Sequence, residues 1–248
     1  MAANDSVRVR VTDLVTKLLE YVRDGKRDAN DVARVLQVVK DDPNFIHQLF
    51  PEETGRPQVP ARNRRARHLL DQWYDIYVRE FGMKLDLEEF RAIKIPPRRS
   101  EFDRLIVVLK GLTLGQIVQV LQKHMKIDIR AGHLNSITSV RNTSQTYAIW
   151  VRDYQEADKE FENMSAEYLI GKQIKGITLE EYFLFELKYY LELGLHLDIK
   201  NVTRCDGSRN SNGNVLIASW DPDDGEVIVY WYDPLDAGSG VRSRQVIA

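Results

Sequence analysis

The chain has 248 residues, a formal net charge of −2, and 43% hydrophobic and 29% charged residues, the balance of an ordinary globule able to bury one large core or two smaller ones. No apolar run approaches the roughly 18 residues of a membrane span, so a membrane role is not expected. The single cysteine, Cys205, excludes an internal disulfide framework, and MAANDSVRVRV lacks the order of a secretory leader, so a reducing, cytoplasmic location is expected.

Residues 12–22 and 30–40 carry apolar side chains at helical spacing, joined by a short connection containing Gly25, and Pro43 can open a third short helix over 44–50. Residues 1–50 are therefore expected to form a helical hairpin unit. PEETGRPQVPAR, with three prolines and no periodicity, reads as a linker over 51–63, which leaves 64–248 as an α+β domain. The arginines Arg62, Arg64, Arg65 and Arg67 then precede a helix carrying Leu69, Leu70, Trp73, Tyr74, Ile76, Tyr77 and Phe81. Arginines at a helix start oppose its dipole, so the cluster is either a phosphate contact beside stacking aromatics or a solvated segment.

Charge changes sign along the chain. Residues 51–110 hold thirteen Lys and Arg against ten Asp and Glu, whereas residues 177–248 hold six against twelve. The acidic second half is a poor nucleic-acid surface, so nucleic acid is a possible partner but not the favoured one. Leu105–Leu109 reads as a strand, Gly111 as a turn and Leu112–Met125 as a helix, followed by an irregular loop over 126–145 and a second strand, Tyr147–Val151. GLTLG has no lysine where a phosphate loop needs one. Asp153, Glu156 and Asp158 invite a two-metal reading, but beside Lys159, Glu160 and Glu162 they fit a solvated helical face better.

GITLEEYFLFELKYYLELG is the most informative stretch. Thr178 and Glu181 have capping-box spacing and Gly194 can close the helix in a left-handed conformation. Apolar residues cover most of its circumference, leaving Glu181, Lys188 and Glu192 as a narrow wet strip. Glu186 falls instead among Tyr182, Phe183, Tyr189 and Tyr190, where a carboxylate must be paired or have its pKa raised. It is either a tuned acid or base or a structural carboxylate.

Beyond the helix, LHLDIKNVTRCDGSRNSNGN reads as a long polar loop holding His196, Asp198, Arg204, Cys205, Asp206, Ser208 and Arg209. It has no nucleophile elbow and no zinc-ligand spacing, and Cys205 reads as a small buried thiol. Val215–Trp220 and Val227–Tyr232 alternate as strands around the turn DPDDGE, which departs from a calcium loop in the place of its glycine and of the bidentate glutamate. Val241–Ile247 can add an edge strand.

YAIWVRD (147–153), GITLEE with ELKYY (176–190), GLHLD (194–198), TRCDGSR (203–209) and the terminal RSR (242–244), with the helical start DGKRDANDVARVLQ, together resemble an uncharacterised multicopy family from uncultivated candidate-phylum bacteria. The resemblance implies a bacterial protein and carries no activity or fold. Asp206 stands where that family has a small serine-like residue, which makes Ser208 and Arg209 the better site candidates.

The expected architecture is α+β: an N-terminal helical unit, then a mixed domain whose C-terminal β-hairpin packs on a long buried helix. Three functions are open. The first is a non-enzymatic binding protein that presents the 204–214 loop and hairpin, with Arg204, Ser208, Arg209, Trp220 and Trp231, to a protein or small ligand. The second is a hydrolase or transferase with Glu186 or His196 as acid or base and an anionic substrate held by Arg204 and Arg209. The third is a nucleic-acid binder through Arg62–Arg67. No metal or other cofactor is called for by any motif.

Overall fold

A computed structural model describes residues 61–248, which lie within one compact unit, Val59–Ala248. The helices expected over 12–50 and most of the expected linker fall outside the described residues. The described part is α+β. Its helices are α1 (Ala61–Arg79), α2 (Leu87–Arg91), α3 (Leu114–Leu121), α4 (Ala166–Gly171) and α5 (Leu179–Leu193). Its strands are β1 (Arg104–Val108), β2 (Lys126–Ile129), β3 (Thr138–Ser139), β4 (Tyr147–Val151), β5 (Val202–Arg209), β6 (Val215–Asp221), β7 (Glu226–Tyr232) and β8 (Val241–Ser243).

β1 and β4 form an antiparallel pair. Trp73 and Tyr77 of α1 donate side-chain hydrogen bonds to the carbonyls of Leu105 and Val107 at 2.9 and 2.6 Å, satisfying acceptors of β1 that a third strand would otherwise take. The larger sheet runs β2-β7-β6-β5-β3, with β8 parallel to the start of β5 and β3 antiparallel to its end. Helix α5 touches β1, β5 and α3, so its side chains join the two sheets into one core. Thr178 and Glu181 form the capping box and Gly194 closes the helix at φ 64°, as the sequence requires.

Four expectations are corrected. Of the expected wet strip of α5 only Glu192 is exposed: Glu181 and Lys188 are buried, Glu181 by a bidentate bond from Arg141 and Lys188 between Glu192, Gln72 and the Trp73 ring. The irregular loop over 126–145 contains β2, which runs parallel to β7, and the two-residue β3. The acidic face after β4 is a single 3₁₀ turn, Lys159–Phe161, preceded by Asp158, which is buried against Arg152 at 2.7 Å.

The fourth correction is the largest. The 204–214 loop is mostly strand: β5 continues to Arg209, and only a turn over 210–214 remains, closed by Asn210 Oδ1 accepting from the amides of Asn212 and Asn214 at 3.0 Å each. Polar residues conceal the strand because they pair inside it. Arg204 and Asp206, two apart on one face, form a buried ion pair, while Ser208 Oγ accepts from the amide of Leu179 at 2.9 Å and bonds Ser139. Gly207 is required by proximity, since a Cβ there would lie 2.8 Å from the Thr178 side chain and 3.1 Å from two backbone carbonyls.

Candidate functional site

Glu186 sits two turns into α5, fully buried, and both its oxygens are engaged beyond the helix. Oε2 accepts from the amide of Leu197 at 2.8 Å, and Oε1 meets Nδ1 of His196 at 2.6 Å. With the carboxylate as acceptor, Nδ1 is the donor of this bond and Nε2 is the ring nitrogen left for another partner.

The ring of His196 is held on both faces as well. Trp220, at the far end of β6, lies parallel to it with centroids 3.4 Å apart, and Tyr190 of α5 stacks on the other side at 5.0 Å. The side chain is 15% exposed, and among the described residues Nε2 has no hydrogen-bond partner. The sequence therefore places an oriented, immobile imidazole at the surface with one nitrogen available.

The segment bearing His196 is anchored by a second buried network. Asp198 accepts from the amide of Ala157 at 2.8 Å, from Thr203 Oγ1 at 2.6 Å and from Arg244 at 2.9 Å. Arg244 also donates to the carbonyls of Tyr154 and Gln155, and Gln155 Nε2 donates to the carbonyl of His196 at 2.8 Å. Burial outweighs these donors and pushes Asp198 up to about 6. Burial likewise pushes the Cys205 thiol well above its usual range, so it is an inert core sulfur.

Tyr190 extends the cluster. Its ring lies 6.0 Å from that of His124, which follows α3, and His124 Nε2 meets Glu80 of the α1 end at 2.8 Å. Four rings, Trp220, His196, Tyr190 and His124, thus form a row, and each histidine in it holds a carboxylate through one nitrogen.

The sequence candidates separate into groups. Glu186, His196 and Trp220 come together. Arg204 and Ser208 lie inside β5, where Arg204 gives a further hydrogen bond to the carbonyl of Met164 at 2.6 Å. Arg209 turns back on the carbonyls of Asp206 and Ser208, and burial lowers its pKa. Arg209 pairs with Val215, five residues along β6 from Trp220, a separation of about 17 Å at about 3.3 Å per residue. It therefore does not share a site with His196.

Trp231 is 54% exposed and pairs with Leu216, towards the same distant end of the sheet. Of the basic cluster, only the side chain of Arg67 is described, in an exposed contact with Glu88 at 3.4 Å. Tyr190, His124 and Glu80 were missed by sequence reading. Tyr190 was accessible as the residue one turn after Glu186, whereas no local pattern links His124 or Glu80 to this site.

Among the described residues no group of three or more His, Cys, Asp or Glu side chains could hold a metal ion. No described helix is long and apolar enough to cross a membrane. No protein-family model, curated protein or solved structure matches this chain.

Proposed function

We propose that this chain is a binding protein that recognises a small ligand, or a polar group of a partner protein, through Nε2 of His196, and not through the 204–214 segment. One observation carries the reading. Four buried carboxylates tie down irregular backbone in the same way, each accepting one main-chain N–H at 2.8 Å: Glu181 from Thr178, Glu186 from Leu197, Asp198 from Ala157 and Asp158 from Gln245. Each also holds a cationic or protonatable side chain, and for Glu181, Asp198 and Asp158 that side chain is an arginine: Arg141, Arg244 and Arg152.

Glu186 alone holds a histidine. An arginine would close this staple at any pH, with more hydrogen bonds. A histidine adds an ionisable nitrogen at the surface, in a fixed orientation between two aromatic faces. Binding is favoured over catalysis because Arg204 and Arg209, the groups that would hold an anionic substrate, are bonded within the fold and away from His196. An acid–base enzyme acting through His196 remains the second reading, supported by the carboxylate-oriented imidazole itself.

The test is a thermal-shift screen of nucleotides, sugars, amino acids and carboxylic acids against the wild type and His196→Asn. Asparagine places its amide nitrogen where Nδ1 stands, so it preserves the Glu186 bond and deletes Nε2. A ligand at about a hundredfold its dissociation constant stabilises by about 2.7 kcal/mol. A shift in the wild type that is lost in His196→Asn is expected. A shift that survives the substitution would overturn the assignment of Nε2, and turnover of any compound that depends on His196 would favour the enzyme.

A further inference from the structure

We propose that Asn212 is a site of spontaneous modification, converted to an aspartyl or isoaspartyl residue through attack by the Gly213 amide, and that Asn210 sets the rate of the reaction.

Asn212 is the one asparagine in the sequence that precedes a glycine. The attacking nitrogen therefore has no Cβ beside it, and its backbone can swing towards the carboxamide more freely than that of any other residue. Gly213 takes φ 83° in the turn between β5 and β6, where it and Asn212 are exposed. The carboxamide of Asn212 makes no hydrogen bond among the described residues. Other asparagines are held and precede a residue with a Cβ. Asn201 donates to Glu156 at 3.0 Å and precedes Val202, and Asn142 accepts from the amide of Ser144 at 3.0 Å and precedes Thr143.

Asn210 holds the turn against this reaction. Its carbonyl accepts from the amide of Gly213, the nucleophile itself, at 3.0 Å, and its own amide donates to the carbonyl of Asn214 at 2.9 Å. Its Oδ1 accepts from the amides of Asn212 and Asn214 at 3.0 Å each. Cyclisation requires the Gly213 nitrogen to leave the Asn210 carbonyl, so the reactive form is the locally opened turn.

In that form the Gly213 nitrogen, having given its proton to hydroxide, attacks Cγ of Asn212. The new N–Cγ bond forms, the bond from Cγ to Nδ2 breaks, and Nδ2 takes a proton from water and leaves as ammonia. A second water opens the cyclic imide at either carbonyl, so overall one water enters and one ammonia departs. The turn gains a carboxylate and, in the isoaspartyl product, one methylene in its main chain. Asp224–Gly225 in the turn between β6 and β7 is an internal control. There the Gly225 amide donates to the carbonyl of Asp221 at 2.9 Å in the same manner, but the neighbouring side chain has no ammonia to lose.

The full chain is incubated at mildly alkaline pH, and peptides spanning 212 are followed by mass, for the exchange of NH₂ for OH, and by isoaspartyl-specific methylation. The wild type is expected to react at Asn212 ahead of every other asparagine, and Asn212→Gln to lose that reaction. Asn210→Ala removes the acceptor of two amides and is expected to raise the rate about tenfold, whereas Asn210→Asp keeps an acceptor in place and is expected to stay within about twofold of the wild type. Unchanged circular dichroism shows that the variants are folded. The wild type unfolded in urea gives the rate of the unprotected pair, expected to be at least about tenfold faster than the native rate, and this comparison stands even if Asn210→Ala does not fold. No exchange at Asn212 in the native chain, over a period in which the unfolded chain has reacted completely, overturns the site. Equal rates in the native and unfolded chains overturn the role of Asn210, as does a folded Asn210→Ala that reacts no faster than the wild type.

Discussion

Replacing Glu186 by glutamine isolates the charge of the buried staple while preserving its shape. Two donors face the carboxylate, the amide of Leu197 at 2.8 Å and Nδ1 of His196 at 2.6 Å, and glutamine offers one acceptor and one donor in their place. The backbone amide cannot become an acceptor, but the imidazole can. The glutamine carbonyl should therefore take the Leu197 amide, and its NH₂ should face an unprotonated Nδ1, which moves the ring proton to Nε2. Charge-assisted hydrogen bonds contribute about 1.5–3 kcal/mol and neutral ones about 0.5–1.5 kcal/mol, so exchanging two of the former for two of the latter costs about 2–3 kcal/mol. At about 2–4 °C per kcal/mol for a chain of this size, the melting temperature should fall by about 4–12 °C. Imidazole nitrogen shifts report the tautomer directly. The variant should show the His196 ring proton on Nε2 instead of Nδ1. An unchanged tautomer with unchanged stability would refute the account of Glu186 as the residue that orients the ring.

Three further outcomes follow from the same geometry. Asp198, pushed up to about 6 by burial, holds a proton in the folded chain at pH values where the unfolded chain has released it, so stability from this group is present at low pH and declines as pH rises from about 4 to about 6. The decline is worth about 3 kcal/mol, and urea midpoints across that range should show it in the wild type and not in Asp198→Asn; equal slopes would count against it. Removing Arg204 in Arg204→Ala strands Asp206 in the core and should destabilise by about 3–5 kcal/mol in chemical denaturation, whereas a loss below about 1 kcal/mol would mean that the pair is not buried as described. The hydroxyl of Tyr182 is buried and has no hydrogen-bond partner among the described residues, so Tyr182→Phe should be neutral or stabilising by up to about 1 kcal/mol, and a clear loss of stability would reveal a partner for that oxygen.

Much of the helical and hairpin structure was legible because its signals are local. Thr178 and Glu181 are three residues apart, Gly194 follows the last apolar turn, and β6 and β7 alternate on either side of a four-residue turn, so each element declares itself within one short window. The expectation of a loop at 204–214 failed for a physical reason. Strand patterns are recognised by one apolar and one polar face, and β5 is polar on a buried face because Arg204 and Asp206 neutralise one another there. β2 was missed for a different reason: KIDI is short, and its partner β7 lies about a hundred residues away, so no local period could reveal it.

The candidate site combines both situations. Glu186 was conspicuous because a carboxylate on an apolar helix face must have a partner, and His196 is close enough in sequence to be considered as that partner. His124 was not, since its relation to His196 exists only through the ring of Tyr190 and through Glu80 at the end of another helix. Composition was misleading in the opposite sense for arginine. Arg204 and Arg209 drew attention because cations in a polar segment suggest an anion site, yet Arg204 completes an internal ion pair and Arg209 closes on carbonyls of its own strand. Arginine is permanently charged and rich in donors, which suits it to fixing backbone in a core. Histidine satisfies the same carboxylate less completely and keeps one nitrogen back, so the weaker structural partner is the one from which binding is argued.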